Sequence, residues 1–339
     1  MTQPPGPEPR EARAGREHGI LVGVDGSEFS FAAARWAAGE AAARRVPLTL
    51  CRVVPAAPDS AEYDRQLGAT ERDLDRAARH ALTSPGGPSE GPPAEHQTGS
   101  PPVRSAGSAA GQTHAPSHAP QHAPSVESSA ESPVELEVRR LIVGGTASQQ
   151  LIALDHDADL LVVGARGRGG FAGLLLGSVS DQVATHSPGS VAVVREHLVR
   201  VGAPVFLGVD DAPGTAFATE YAFQTAARDG RPLVAMYSYP MSVSVPDVGY
   251  LPVTYESHAA DRARSFVHTL LEPWRDRHPE VTVTIEVTGV RPAVALCQAS
   301  VAAHLLVVGA TGRPAFAGIL GGVSRKVLHN ARCPVVVAR

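Results

Sequence analysis

Two stretches of this chain repeat one plan, and that repetition limits the fold more than any other feature. Leu160 to Ser180 reads LLVVGARGRGGFAGLLLGSVS. Four large apolar residues stop at Gly164, a loop carrying Gly167, Gly169, Gly170 and Gly173 follows, and Gly177-Ser178 opens a helix. Leu305 to Ser324 reads LLVVGATGRPAFAGILGGVS, the same plan near the C-terminus. A unit that recurs at long spacing marks a duplicated domain. Counted out, the first copy is G-x2-G-x9-G-S. Glycines let backbone approach a ligand closely, and the free N–H groups at a helix start attract anions, so such a loop can cradle a phosphate. Ser178 is placed to cap the helix, with Asp181 in capping-box position. The plainer reading, a glycine-rich turn between strand and helix, is weakened by the second copy.

The rest of the chain falls into order around these loops. Met1–His18 is a polar tail expected to be disordered. Gly19–Val24 reads as a strand ending in Asp25-Gly26-Ser27, and Phe29–Arg45 as an alanine-rich helix. Pro47–Val54 is a second strand and Ala61–Leu82 a second helix. Thr83–Pro133 is rich in Pro, Ser, Gly, Ala, His and Glu and cannot bury enough surface to order itself. Within it His114, His118 and His122 each precede Ala-Pro, a spacing read as incidental rather than as a metal site. Val134–Val143 resumes as a strand, Ser148–His156 as a helix, and Ser190–Val194 as a last strand.

Five strands alternating with helices make a parallel, doubly wound domain. The second half repeats them with strands at Val205–Asp210, Pro232–Tyr237, Val281–Val287 and Pro334–Arg339 and a helix over His258–His278. Asp25 and Asp210 stand 185 positions apart, but Gly164 and Gly309 only 145, so the segment between them in the first half holds an insertion. The expected architecture is α/β: two tandem five-stranded, Rossmann-like domains. The first spans 19–197 with an insert at 83–133, and the second spans 201–339.

Composition narrows the function. The net charge of −4 offers no basic field for nucleic acid or an anionic membrane. Lys326 is the only lysine, which excludes a GxxxxGK[ST] phosphate loop. Cys51, Cys297 and Cys333 are widely spaced in apolar surroundings, suiting small core residues rather than disulfides or a metal site. No apolar run of about 18 residues and no signal peptide is read, so the expectation is a soluble, cytoplasmic protein.

In an open α/β sheet, ligands sit beyond the carboxyl ends of the strands. Asp25 and the Gly164 loop both fall there. The carboxylate can accept hydrogen bonds from a sugar or base, the loop amides can take phosphates, and Arg166 or Arg168 can supply positive charge. Asp25 can equally make a local Asx turn.

Val22-Gly-Val-Asp-Gly-Ser27, the strand end Arg52-Val53-Val54 and Gly164–Ser180 together resemble the universal stress protein family. The resemblance covers both repeats and leaves out the tail and the insert. It implies ATP, with or without magnesium, held at Asp25 and Val53 for the adenosine. Gly164, Gly167, Gly177 and Ser178 would hold the phosphates, with Val179 and Ser180 beside them. It also implies a fused pseudo-dimer within one chain, open to further homodimerisation, with Ser190–Val194 and Val335–Ala338 as the seam. A nucleotide-dependent sensor or signalling protein with an unidentified protein partner is the expected function.

The second repeat departs from the pattern. Eight residues, not nine, separate Gly312 from Gly321-Gly322, so either Gly322 or Val323 falls where Ser178 stands. Pro314 removes a loop N–H, Ser238 matches Val53, and Asp211 adds negative charge beside Asp210. A weaker second site at Asp210, Gly309, Gly312, Gly322, Val323 and Ser324, or none, is expected. A dinucleotide-binding oxidoreductase is a poor competitor: Gly167-Arg-Gly169-Gly-Phe-Ala172 fits GxGxxA, and Glu196 could serve as the ribose acid, but the pattern follows the fourth strand. A nucleotide-independent interaction module of the same fold is the other alternative. Catalysis has no evident base, so the protein is at most a slow ATPase.

Overall fold

A computed structural model describes residues 16–55, 60–82, 136–169, 175–195, 201–212, 214–239, 253–310 and 320–339. The insert with its histidines, most of the N-terminal tail, residues 170–174, Glu196, Gly312 and Pro314 lie outside them.

The first half runs β1 (Gly19–Gly23), α1 (Glu28–Arg44), β2 (Leu48–Val54), α2 (Ser60–Leu82), β3 (Val138–Gly144), α3 (Ala147–Leu154), β4 (Ala158–Gly164), α4 (Ser178–His186) and β5 (Val191–Val194). The second half repeats it as β6 (Val205–Val209), α5 (Thr215–Arg228), β7 (Leu233–Ser238), α6 (Val253–Arg277), β8 (Val283–Thr288), α7 (Pro292–Ala299), β9 (Leu305–Gly309), α8 (Gly322–Asn330) and β10 (Val335–Ala338). The largest shift from an expected boundary is in α6, which begins at Val253 rather than His258. β3 begins at Val138 rather than Val134, and α3 ends at Leu154 before a single 3-10 turn over Asp155–Asp157.

The ten described strands join one sheet in the order β3-β2-β1-β4-β5-β10-β9-β6-β7-β8. The chain therefore forms two five-stranded, doubly wound halves with the same internal order. The continuous apolar runs reflect burial on both faces. Ile20, Val22, Leu160 and Val162 pack toward α1 and α2, whereas Leu21, Leu161 and Val163 pack toward α3 and α4. Small side chains let α1 lie close to the sheet: Ala33, Ala34, Ala37, Ala38 and Ala41 are all buried. Ser27 caps it, its hydroxyl accepting the Ser30 N–H at 3.2 Å.

The halves meet where β5 pairs antiparallel with β10, Val193 facing Val335 and Val191 facing Val337. The other described pairings are parallel, so the carboxyl edges of the two halves point in opposite directions. Three sets of side chains cross the seam. Glu40 on α1, 5% exposed, takes a two-pronged contact from Arg228 of α5 at 2.7 and 3.0 Å, with Arg44 at 2.7 Å and the Tyr221 hydroxyl at 3.3 Å. Asp181 of α4 pairs with Arg325 at 3.1 Å and His329 at 3.3 Å, both on α8. Arg195 donates to the Leu328 carbonyl, and Arg339, its counterpart by repeat, donates to the Ala184 carbonyl at 2.5 Å.

The expected disordered tail needs one correction. Arg16 donates to the Ala158 carbonyl at 2.6 Å, and the His18 carbonyl accepts the Thr49 hydroxyl at 2.9 Å, which pins residues 16–18 beside the sheet.

Candidate functional site

β1 and β4 are neighbours that end at the same edge, and their connections leave in opposite directions, to β2 and to β5. The loops part there and leave a crevice. A cavity of about 560 Å³ fills it. Asp25, Val53, Gly164, Arg166, Gly167, Gly177, Ser178, Val179 and Ser180 all line it, so residues from β1, β2, β4 and α4 converge on one space. Cys51, Arg52 and Arg168 line it as well.

Asp25 sits at one wall with both oxygens engaged. Its Oδ1 accepts the Ser27 N–H at 3.0 Å and the Ser27 hydroxyl at 2.6 Å; its Oδ2 accepts the Arg168 N–H at 2.9 Å. The first contact is the Asx turn that local chemistry allows, and the last ties the glycine loop to β1. Burial opposes ionisation of this carboxyl. The hydrogen bonds from the Ser27 hydroxyl and amide and from Arg168 outweigh it and hold the group below its ordinary value. Gly167 must be small for the same reason: a Cβ there would stand 2.4 Å from Asp25 Oδ2.

Gly164 has a different task. A Cβ on it would lie 2.6 Å from the Phe29 carbonyl oxygen, so this glycine lets α1 pack across the end of β4. Ser180 is also committed elsewhere. It is 4% exposed and donates its hydroxyl to the Gly164 carbonyl at 2.7 Å, stitching α4 to β4.

The helix start differs from the sequence expectation. Gly177 is the N-cap of α4 and makes no side-chain cap hydrogen bond; Ser178 is the first helical residue, not the cap. Asp181 forms no capping box because its carboxylate is drawn across the seam to Arg325 and His329. The first amides of a helix have no intrahelical acceptor, and here no cap side chain takes their place. The residues that carry them, Ser178, Val179 and Ser180, line the cavity, a favourable position for an anion.

Three arginines line the same cavity. Arg166 lies over the Phe29 ring at 5.6 Å. Arg52 donates to the Val24 carbonyl at 3.2 Å, and Arg168 donates to Asp73 Oδ1 on α2 at 3.1 Å. Arg52 adjoins Val53 in the sequence and could have been picked from that proximity. Asp73 could not, because it lies in a helix crowded with charges. The Cys51 thiol is pushed up to about 12 by burial and stays protonated near neutrality, so it is a wall rather than a nucleophile.

The sequence profile described as the universal stress protein family matches residues 18–195 and 204–339. The chain belongs to that family. A universal stress protein of Mycobacterium tuberculosis is 32% identical over 336 residues, covering 96% of this chain and 98% of the relative. Another, from Mycolicibacterium smegmatis, is 32% identical over 329 residues, covering 95% and 97%. The crystal structure of a universal stress protein from Archaeoglobus fulgidus superposes with a TM-score of 0.59 at 16% identity, covering 95% of this chain and 98% of that one, which speaks for the fold.

Within this family member the two halves are not equivalent. Gly321 donates its N–H to the Ala310 carbonyl at 2.7 Å, as Gly177 does to Ala165 at 2.8 Å. Ser324 donates to the Gly309 carbonyl at 2.7 Å, as Ser180 does to Gly164. These contacts resolve the alignment that the sequence left open. Gly322, not Val323, occupies the place of Ser178, and no hydroxyl stands there. Asp210 accepts the Thr215 hydroxyl, and the Ala212 N–H at 3.1 Å. Burial pushes its carboxyl up despite these bonds, and neighbouring Asp211 adds to the rise, the reverse of Asp25. Gly312 and Pro314 lie outside the described residues, so the second loop is compared only at its ends.

Proposed function

We propose that this universal stress protein binds ATP in the cavity of its N-terminal half and acts as a nucleotide-dependent sensor or signalling module. One observation carries the reading: an uncapped helix start, Gly167 packed against Asp25 and three arginines share a cavity with that aspartate. Asp25 and Val53 would hold the adenosine, and Gly167, Gly177, Ser178 and Arg166 the phosphates. Gly164, Val179 and Ser180 would shape the floor. The residues fit a polyanionic nucleotide, since loop amides and arginines offer donors to phosphates and Asp25 offers an acceptor to a sugar or base. Among the described residues no three His, Cys, Asp or Glu side chains cluster as a metal site, so a magnesium ion arriving with ATP would rely chiefly on phosphate oxygens.

Asp25 receives three hydrogen bonds and is suited to orient a ligand rather than to take a proton, which supports slow hydrolysis or none. The raised Asp210 carboxyl and the hydroxyl-free Gly322 support weak binding in the second half, where Gly309, Gly312, Val323 and Ser324 complete the counterpart site. A cytoplasmic setting accords with a chain in which no described helix is long and apolar enough to cross a membrane. Signalling further implies a protein partner.

Calorimetric titration of ATP into wild type, Asp25→Ala and Asp210→Ala tests the reading. Loss of the Ser178 type of contact to a charged ligand costs roughly ten- to a hundredfold in affinity. The expected result is about one ATP per chain at micromolar nucleotide, lost in Asp25→Ala and kept in Asp210→Ala. Equal losses in both variants, or two matched sites in wild type, would overturn it.

A further inference from the structure

Asp73 lies in α2, 8% exposed, in a stretch where Glu71 is exposed and Asp75 half-buried. Its carboxylate packs against Gly26, where a Cβ would come within 2.4 Å of Oδ2. From there it reaches two of the arginines that border the cavity. Oδ1 accepts Arg168 Nη2 at 3.1 Å, and Oδ2 faces Arg52 Nη2 at 3.7 Å. Asp73 stands behind these guanidiniums rather than on the cavity wall.

The arrangement leaves donors to spare. A guanidinium carries five N–H groups in a rigid fork. Asp73 takes one from Arg168, whose side chain is otherwise 57% exposed. Arg52 Nε is buried with its hydrogen unpaired. A long cationic side chain normally loses rotamer freedom when a phosphate immobilises it. Arg168 has already lost much of that freedom, because its backbone is tied to Asp25 and its guanidinium to Asp73.

We infer that Asp73 is a positioning residue that sets the preference for nucleoside triphosphates over monophosphates, by holding Arg168 and Arg52 ready for the outer phosphates. The inference rests on the nucleotide reading above and assigns selectivity to a residue outside the glycine signature. On that reading the inner phosphate would meet the α4 N-terminus, leaving the outer phosphates of a triphosphate as the groups for the pre-set arginines.

The test is calorimetric titration of the full chain with ATP and, separately, AMP. Wild type, Asp73→Asn and Asp75→Asn are compared, the last removing an α2 charge that pairs with Arg140 at 2.9 Å on the exposed side. Asp73→Asn should weaken ATP by roughly three- to tenfold, the worth of one side chain's pre-paid ordering, and leave AMP within about twofold. Asp75→Asn should leave both unchanged. Equal weakening of ATP and AMP by Asp73→Asn would reduce Asp73 to a structural role. An unchanged ATP affinity, or a gain, would overturn the inference while leaving the nucleotide reading intact. Wild type that binds neither nucleotide would sink both.

Discussion

Replacing Glu40 by Gln should weaken the joint between the two halves more than any other single exchange of similar volume on α1. The carboxylate is nearly fully buried and is approached by Arg228, Arg44 and the Tyr221 hydroxyl. Burial alone would raise its pKa, but the charge of Arg44, then the hydrogen bond and charge of Arg228, hold it below its usual value. Gln keeps the shape yet leaves two guanidiniums facing each other without the anion between them. Removing one partner of a buried pair costs about 3–5 kcal/mol. Arg44 and Arg228 retain 27% and 21% side-chain exposure, so solvent screens part of the loss. We expect about 2–4 kcal/mol, which at ~2 °C per kcal/mol for a large cooperative unit is a fall in Tm of roughly 4–8 °C. The sign with pH follows from the depressed carboxyl. Its contribution is present above the unfolded value, about 4.3, and disappears as pH falls through the lower folded one. Scanning fluorimetry of wild type and Glu40→Gln from pH 7 to pH 3 reads both quantities. A Tm difference below 1 °C at pH 7, or one that stays constant down to pH 3, would refute the reasoning.

Gly164→Ala should be destabilising by about 1–3 kcal/mol, because its Cβ would press on the Phe29 backbone rather than on a yielding side chain; thermal unfolding measures this, and an unchanged Tm would refute it. The His304 imidazole is buried, which lowers its pKa from 6.5 to about 4, with the Arg231 charge adding to the fall. Its contribution is therefore present above pH 6.5 and lost as pH falls toward 4, and His304→Asn should flatten the stability profile across that window in urea titrations. Replacing residues 83–133 by a short Gly/Ser linker should leave Tm within a few degrees, since loop length enters closure entropy at only about 0.6 kcal/mol per doubling. Insolubility or a large fall would show that the segment packs.

The sequence was sufficient where the determining physics is local or repeated. Apolar runs such as Leu160–Val163, buried on both faces, spell out parallel strands without reference to the rest of the chain. The recurrence of LLVVG with its glycine loop fixes a duplicated fold, and the position of Asp25 and Gly164 at strand ends places them on one edge by topology alone. Tertiary structure decided whatever depends on a partner distant in sequence. Ser178 lost the capping role because Gly177 precedes it at the turn, and Asp181 is claimed by Arg325 and His329 from the other half. Gly164 is small for Phe29, 135 positions away, not for a ligand. Gly322, rather than Val323, takes the place of Ser178 because the Ala310 and Gly309 carbonyls set the register of the second loop. Asp73 and Arg168 lie 95 residues apart and meet only when α2 docks against α1 and β2. A charged residue in a charged helix carries no local mark of burial; only packing, which removes water from one carboxylate and not from its neighbours, distinguishes it.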